Sequence, residues 1–430
     1  MRILIVGNGG REHALLWKLT RDLPSAEVFA TQPNGGMIEL CRAVPIAAGD
    51  VEALTGWAAA QRIDLAVVGP EAPLAAGIAD RFRKKGVPVF GPTGSAARIE
   101  ASKAFAKQLM VKAGVPTAAH CTFTDAAEAE TYVRERGAPV VVKASGLTAG
   151  KGAVVCDSVE EALAAVSAML VERSFGEAGR EVVIEERMEG EELSVFAVTD
   201  GEAAILLPPA QDHKRIGEGD TGANTGGMGA YTPVSVATPA VLEETRERVL
   251  LPTLRALAAQ GSPFKGVLYA GLMLTREGVK VVEFNCRMGD PETQVVLPMM
   301  EGSLLELMVE VAEGGSLAGR SVVPRPGTAV TTVLASEGYP GSYPRGRAVT
   351  IPPGLAADPN VLIFHAGTAV GDGALVTSGG RVLAVTGLGP TLAEAAARSR
   401  AAAVEIAFEG KQFRRDIGWR ELARDERAKP

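Results

Sequence analysis

The sequence predicts an α/β plus α+β chain, with a parallel α/β unit first, then a small α+β lid set into a second sheet, and a strand-rich C-terminal unit. Three observations carry this. Apolar runs alternate with helical patterns over residues 2–93. A strand–loop–strand pattern surrounds a glycine-rich stretch at 139–156. Four later apolar runs, at 193–198, 204–207, 266–274 and 279–285, read as a larger second sheet.

Taken in order, the run 2–6 ends in Gly7-Asn8-Gly9-Gly10 and meets a helical stretch at 11–19. Strands follow at 28–30, 65–68 and 87–90, and the unit closes near Gly91-Pro92-Thr93. Residues 103–112 read as a helix. A strand at 139–143 enters the loop 144–152, and a second strand, 153–156, leaves it. Ser158 and Glu161 form a capping box that opens a helix through 170, and 181–186 is another strand. The Gly-rich segment 217–229 is expected to be a mobile loop. Asp290 suits an N-cap, with Pro291 at the first helical position. Past Pro326 a last strand-rich segment ends in an Ala-rich helix opened by Thr391 and Glu394. These breaks divide the chain into an N-terminal unit 1–101, a central unit 102–122 plus 190–325, a lid 123–189 and a C-terminal unit 326–430.

The 430 residues are 47% apolar and 22% charged, as in an ordinary globular protein. A net charge of −7 without a long basic run argues against nucleic acid or an acidic membrane surface as partner, and leaves room for a small anionic substrate. No stretch reads as membrane-spanning, and the N-terminus lacks the apolar region of a signal peptide. Cys41, Cys121, Cys156 and Cys286 lie far apart without a CxxC pair, as reduced thiols in a cytoplasmic protein do.

Several segments carry chemistry. The first glycine turn falls short of a dinucleotide fingerprint, because Glu12 stands where the third Gly belongs and no acid ends the second strand. It still offers backbone N–H groups and Arg11 to a phosphate; the alternative is a tight turn with no ligand. The loop 146–152 misses the Walker A spacing by one residue and joins two strands. Behind Lys143 it can fold over phosphates, or it is an ordinary hairpin. Glu283 and Asn285 share one face of a strand while Phe284 faces the other way. A carboxylate and an amide oxygen placed together suit Mg²⁺, and read alone they suit a solvated polar face equally well. The acidic turn 185–192 and the charged segment 211–215 are either substrate contacts or solvated loops. The four histidines show no metal-ligand spacing, and no Ser-His-Asp or Cys-His set or nucleophile elbow is present.

At these residues the chain resembles the glycinamide ribonucleotide synthetase family of the ATP-grasp superfamily. The resemblance runs through Gly7-Asn8-Gly9-Gly10-Arg11-Glu12-His13-Ala14, Val68-Gly69-Pro70-Glu71, Gln211-Asp212-His213-Lys214-Arg215 and Asn224-Thr225-Gly226-Gly227-Met228-Gly229. It continues in Glu283-Phe284-Asn285-Cys286-Arg287, Gly289-Asp290-Pro291-Glu292 and Asp416-Ile417-Gly418-Trp419-Arg420, and so spans nearly the whole chain. It implies an ATP-grasp fold with an N-terminal α/β domain, an inserted lid and a C-terminal domain. It implies ATP between lid and central sheets, held by Lys103, Lys143, Ser145, Gly146, Gly150 and Gly152, with Glu185 and Met188 at the adenine and Glu192 at the ribose. Glu283 and Asn285 would hold Mg²⁺ or Mn²⁺. Gly9, Gly10, Arg11, Glu12, Asn34, Glu71, Lys214, Asp290 and Glu292 would meet substrate, and Arg287, Lys143 and Asp212 would serve catalysis. Two departures stand out. Ser145 replaces the family's usual Asp, as in related biotin carboxylases, and Met37 replaces a hydroxyl residue near the sugar-phosphate site.

The implied reaction is ligation of glycine to 5-phosphoribosylamine, with ATP giving ADP and phosphate through a glycyl phosphate, in purine biosynthesis. A monomer handling small molecules alone is expected. Two rival readings are an oxidoreductase built on the N-terminal unit, which Glu12 and Thr31 disfavour, and an inactive ATP-binding regulator. Lys143, Glu283, Asn285 and Arg287 together disfavour the second.

Overall fold

A computed structural model describes residues 1–148 and 150–427; Ala149, in the expected glycine loop, lies outside the described residues. The N-terminal sheet is wholly parallel, in the order Arg42–Val44, Glu27–Thr31, Arg2–Val6, Leu65–Val68, Val89–Phe90. The Gly7–Gly10 turn therefore sits at the carboxyl end of the middle strand, where open parallel sheets place their ligands. The strand Arg42–Val44 was not legible because it is an exposed edge with no apolar run.

Two four-stranded antiparallel sheets follow. The lid sheet runs His120–Phe123, Val182–Glu186, Val140–Ala144, Ala153–Cys156, and helices Ala126–Arg136 and Val159–Val166 close its own apolar cluster of Val140, Val142, Ile184, Val133 and Val166. The central sheet runs Ala204–Leu206, Glu191–Thr199, Gly266–Thr275, Gly278–Asn285. It exceeds the lid in strand length and not, as expected, in strand number. Its core merges with that of the N-terminal sheet and with Val330 and Leu392 of the C-terminal part, whereas the lid's core stays separate.

The C-terminal sheet is built from Thr328–Ser336, Arg381–Gly389 and Val361–His365, joined by two strands from the middle of the chain, Gln211–Asp212 and Gly229–Thr232. The segment expected to be a glycine loop is thus partly ordered, with Arg215–Gly217 pairing with Thr221–Asn224 in a hairpin. A second correction concerns Asp290. The helix begins at Thr293, and Asp290 instead meets Arg381, its Oδ2 2.9 Å from Nη2, because a guanidinium is a stronger partner than a backbone N–H. Ser158 and Thr391 do cap their helices, accepting from the Glu161 and Glu394 N–H groups. The Glu161 carboxylate returns to the N–H of Asp157 and not to the cap itself, so the full box is absent there. No helix among the described residues is long and apolar enough to cross a membrane.

The turn 32–37 is wedged between the N-terminal sheet and the C-terminal part. The Asn34 amide donates to the carbonyls of Asn8 (2.8 Å) and His365 (2.7 Å), and its oxygen accepts from the N–H groups of Gly36 and Met37. Met37 is fully buried among Ile3, Leu15 and Phe364, so a polar contact from this position is replaced by packing. A Cβ on Gly36 would come within 2.4 Å of the His365 ring and 2.7 Å of His13, whose ring is fixed by the His365 backbone N–H donating to His13 Nδ1. Gly36→Ala is therefore expected to destabilise the fold by about 1–3 kcal/mol through overpacking, read as a lower urea midpoint at unchanged slope. An unchanged midpoint would show that the rings yield freely.

Candidate active site

The lid and the central sheet face each other across a cleft of about 700 Å³, which the N-terminal unit and the hairpin 215–224 close at its ends. Its floor is the strand Gly278–Asn285. Alternation aims Glu283 and Asn285 into the cleft and buries Phe284 in the core. Neither polar side chain has a hydrogen-bond partner in the protein among the described residues, although Asn285 is 7% exposed. Lys214, Lys143, Lys103 and Arg287 surround Glu283 and, against the opposing effect of burial, hold its carboxyl below the usual range. Two unspent hard oxygens beside an open cleft fit a divalent cation that takes its remaining ligands from water and phosphate. Among the described residues no cluster of three or more His, Cys, Asp or Glu offers a fully protein-bound alternative.

A bulge lies beside this pair. Register passes from Gly271 opposite Glu283 to Leu272 opposite Val281, which leaves Val282 unpaired. The freed Val282 carbonyl accepts from Lys143 Nζ (3.2 Å), and the same ammonium lies 2.8 Å from Glu185 Oε2. Lys107 approaches the other oxygen of Glu185 at 3.1 Å and donates to Thr117 Oγ1, which donates to the Val281 carbonyl. Burial pulls Lys107 down to about 8 against the pull of Glu185. The Glu185 carboxylate, on the wall of the cleft, is thus held between two lysines. Lys107 went unread because nothing marks it beyond its place one turn after Lys103.

The lid loop divides. Gly150 and Gly152 line the cleft, as do Met188 and Glu192. Ser145 does not: its Oγ accepts from the Ala104 N–H (3.1 Å) and so pins the start of helix Lys103–Ala113. Gly146 lies off the cleft too, where a Cβ would strike Ala178 at 2.6 Å, and its carbonyl accepts from Lys103 Nζ (3.1 Å).

At the N-terminal end the glycine turn already holds an anion, the protein's own Glu12. This carboxylate accepts from the Gly9 N–H (2.7 Å) and from Arg11 Nε (2.6 Å), and a Cβ on Gly69 would lie 2.0 Å from it. Gly9, Gly10, Glu12 and Asn34 are consequently off the cleft and support the turn, while Arg11 and Glu71 reach it. Arg287 binds Glu71 (3.2 Å) and Glu100 (2.7 Å), and Glu100 also accepts from the Cys286 N–H. Burial raises Glu100; burial opposes the charge on Arg287 too, but the two carboxylates outweigh it and drive Arg287 upward. Glu100 was another unread member, since it sits inside a plain helical stretch.

The far wall carries Asp212, Lys214, Glu192, Glu292 and Asp290. Lys214 pairs with Glu192. Glu292 is buried and accepts from the Tyr269 hydroxyl at 2.7 Å. Arg381, also unread, donates to the carbonyls of Gly226 and Asp290 and ties this wall to the C-terminal sheet. Asp212 is raised to about 7 by burial, with Glu292 and Glu192 adding to the rise and Lys214 opposing it.

Comparison with known proteins gives a consistent result. Models of phosphoribosylglycinamide synthetase match as the N domain over residues 1–100, the ATP-grasp (A) domain over 101–293 and the C domain over 329–420. The phosphoribosylamine–glycine ligase of Rhizobium meliloti (strain 1021) is 45% identical over 425 residues, covering 99% of this chain and 100% of that protein. That of Nostoc sp. (strain PCC 7120) is 48% identical over 424 residues, covering 98% and 99%. The crystal structure of the Thermotoga maritima phosphoribosylamine–glycine ligase matches with a TM-score of 0.85 at 35% identity, covering 97% of this chain and 100% of that one. The biotin carboxylase domain of Hydrogenobacter thermophilus 2-oxoglutarate carboxylase, solved with MgADP and bicarbonate, matches with a TM-score of 0.73 at 19% identity, covering 96% and 91%, a likeness of fold alone.

The raised Asp212 has a signed consequence. Its folded value of about 7 lies above the unfolded one, so the folded state binds the extra proton between them, and stability falls as pH rises from about 4 through 7. Asp212→Asn removes that loss. The variant should gain stability relative to the parent at pH 8 compared with pH 5, measured by urea midpoints at both; an equal difference at the two pH values would place the proton elsewhere.

Proposed function

The chain belongs to the phosphoribosylglycinamide synthetase family, and on that premise we propose how its cleft works. It is a carbon–nitrogen ligase with the ATP-grasp fold that joins glycine to 5-phosphoribosylamine at the expense of ATP, giving glycinamide ribonucleotide in the second step of purine biosynthesis. Our reading of the site rests on one observation above the rest: the unspent pair Glu283 and Asn285 lies in a single cleft with Lys103, Lys143, Lys214 and Arg287.

In this reading ATP lies beneath the lid. Lys103 and Lys143 meet its phosphates, Gly150 and Gly152 let the loop approach them, Met188 flanks the base and Glu192 takes the ribose. Glu185 acts through Lys143, and Ser145 and Gly146 act by shaping the loop. Glu283 and Asn285 hold Mg²⁺, which supplies charge neutralisation to the phosphoryl group when bound. Arg11 and Glu71 face the sugar phosphate, over a turn that Gly9, Gly10, Glu12 and Asn34 keep in shape. Asp212, Glu292 and Asp290 face the ammonium of glycine and the incoming amine. The chain acts as a monomer in the cytoplasm.

A carboxylate is a poor electrophile, and among the described residues the cleft holds no positioned side-chain nucleophile. The glycine carboxylate oxygen attacks the γ-phosphorus, and ADP leaves. The amine of phosphoribosylamine then attacks the acyl carbon of the glycyl phosphate and loses a proton as phosphate departs with the former carboxylate oxygen. The lysines and Arg287 balance the charge that moves, so the protein contributes position and field. Asp212, raised toward neutrality by burial, is placed to accept the amine's proton.

Glycine labelled with ¹⁸O in its carboxylate should pass one labelled oxygen to inorganic phosphate per turnover, read by mass spectrometry. Unlabelled phosphate alongside product would sink the acyl phosphate. Glu283→Gln keeps shape and removes charge; it should lower kcat at least about 100-fold in a folded protein. Near-parental turnover at saturating Mg²⁺ would free Glu283 from the role given to it.

A further inference from the structure

We propose that residues 414–420 form a positioning clamp for Lys214, with Arg414 at its centre; the proposal rests on the reading that Lys214 acts in the cleft. The observation behind it is a hairpin that cannot hold itself. The strands Arg215–Gly217 and Thr221–Asn224 begin one residue after Lys214, contain three and four residues, and bury no apolar side chain. A two-stranded ribbon of that kind is marginal alone. Its turn contains Gly219 and Asp220 in succession at φ values of 65° and 57°, a left-handed conformation that a non-glycine residue adopts at a cost.

The C-terminal segment supplies what the hairpin lacks. Arg414, whose side chain is 1% exposed, donates from Nε and Nη2 to the two oxygens of Asp416, both at 2.8 Å. Its Nη1 donates to Asp220 Oδ1 (2.8 Å) and to the Arg215 carbonyl (3.1 Å). Asp416 also accepts from the Gly219 N–H (2.8 Å), and Arg420 Nη2 reaches the second oxygen of Asp220 at 2.6 Å. The Gly418 N–H donates to His213 Nε2 (2.9 Å), which leaves the ring proton on Nδ1, directed at Asp220 Oδ1 3.5 Å away. Two guanidiniums thus face two carboxylates, so the set around the buried Arg414 is neutral as a group.

Lys214 lies between the tied points. The residue before it is held through the His213 ring and the residue after it through the Arg215 carbonyl, while its own carbonyl accepts from the N–H and Oγ1 of Thr225, both at 2.8 Å. With the backbone fixed on both sides, the ammonium is held against Glu192, facing Asp212 and Glu283. A planar fork is needed at 414 because it makes four hydrogen bonds, two to Asp416 and one each to Asp220 and the Arg215 carbonyl, whereas an ammonium has only three N–H donors.

The test is a double-mutant cycle on the full chain, comparing the parent, Arg414→Lys, Lys214→Met and the pair. Arg414→Lys should cut kcat/KM roughly 10- to 100-fold through a misplaced Lys214. In the Lys214→Met background the same change should alter kcat/KM by no more than about twofold, because the group it positions is gone. Asp416→Asn, at the rim of the cluster, should do the same more weakly and takes the place of Arg414→Lys in the cycle if that variant does not fold. Hydrogen exchange should quicken at 215–224 and stay unchanged at 140–144. Additive losses in folded proteins would overturn the clamp, as would parental kinetics in folded Arg414→Lys or Asp416→Asn. Parental kinetics in Lys214→Met would overturn the underlying reading of Lys214 instead.

Discussion

Everything about this cleft depends on buried charges that are never left alone. Removing an ammonium or a carboxylate from water costs several kcal/mol unless a partner is supplied. Here Lys143 and Lys107 share Glu185, Arg287 divides itself between Glu71 and Glu100, Arg381 answers Asp290, and Arg11 answers Glu12. All but the Arg11–Glu12 pair join elements far apart in the chain, so satisfying the charges also assembles the walls. Glu283 and Asn285 stand apart, as groups aimed into the cleft with no protein hydrogen bond among the described residues. Two hard oxygens presented side by side to a cleft lined with lysines suit a divalent cation bound with phosphate.

Much of this was legible in sequence where local rules govern. The strand Arg2–Val6, its glycine turn, the strand–loop–strand of the lid and the alternation at 283–285 follow from period and turn chemistry, and all four formed where the pattern placed them. Asp290 misled because an Asp-Pro pair before a helix is a good cap signal, and only the fold reveals Arg381 beside it. Glu12, Asn34 and Ser145 show a related limit of local pattern. Their motif neighbours reach the cleft, yet these three side chains turn inward to backbone N–H groups or carbonyls, and sequence does not say which way a polar side chain turns. Lys107, Glu100 and Arg381 carried no local signal at all, since their importance lies in partners that are distant in sequence.

The separate core of the lid matters for motion. The lid packs Val140, Ile184 and Val166 among themselves, so movement of the lid need not open the main core. What it would strain is the polar chain from Val281 through Thr117, Lys107 and Glu185 to Lys143 and Val282, a line of contacts along the junction. Hydrogen bonds of this kind reform in a shifted geometry more readily than interlocked apolar side chains do.

The strand Gly229–Thr232 pairs with Thr328–Ser336, about a hundred residues further on, in the sheet that also takes Gln211–Asp212. During synthesis from the ribosome, residues 211–232 therefore emerge well before the strand that gives them a place. Until then the outer edge of Gly229–Thr232 is unpaired, and a nascent chain that has finished its lid and its central sheet has no complete pocket to fill. Substrate binding cannot guide the early steps of folding here, because the wall that carries Asp212 and Lys214 is seated only when Thr328–Ser336 has been made.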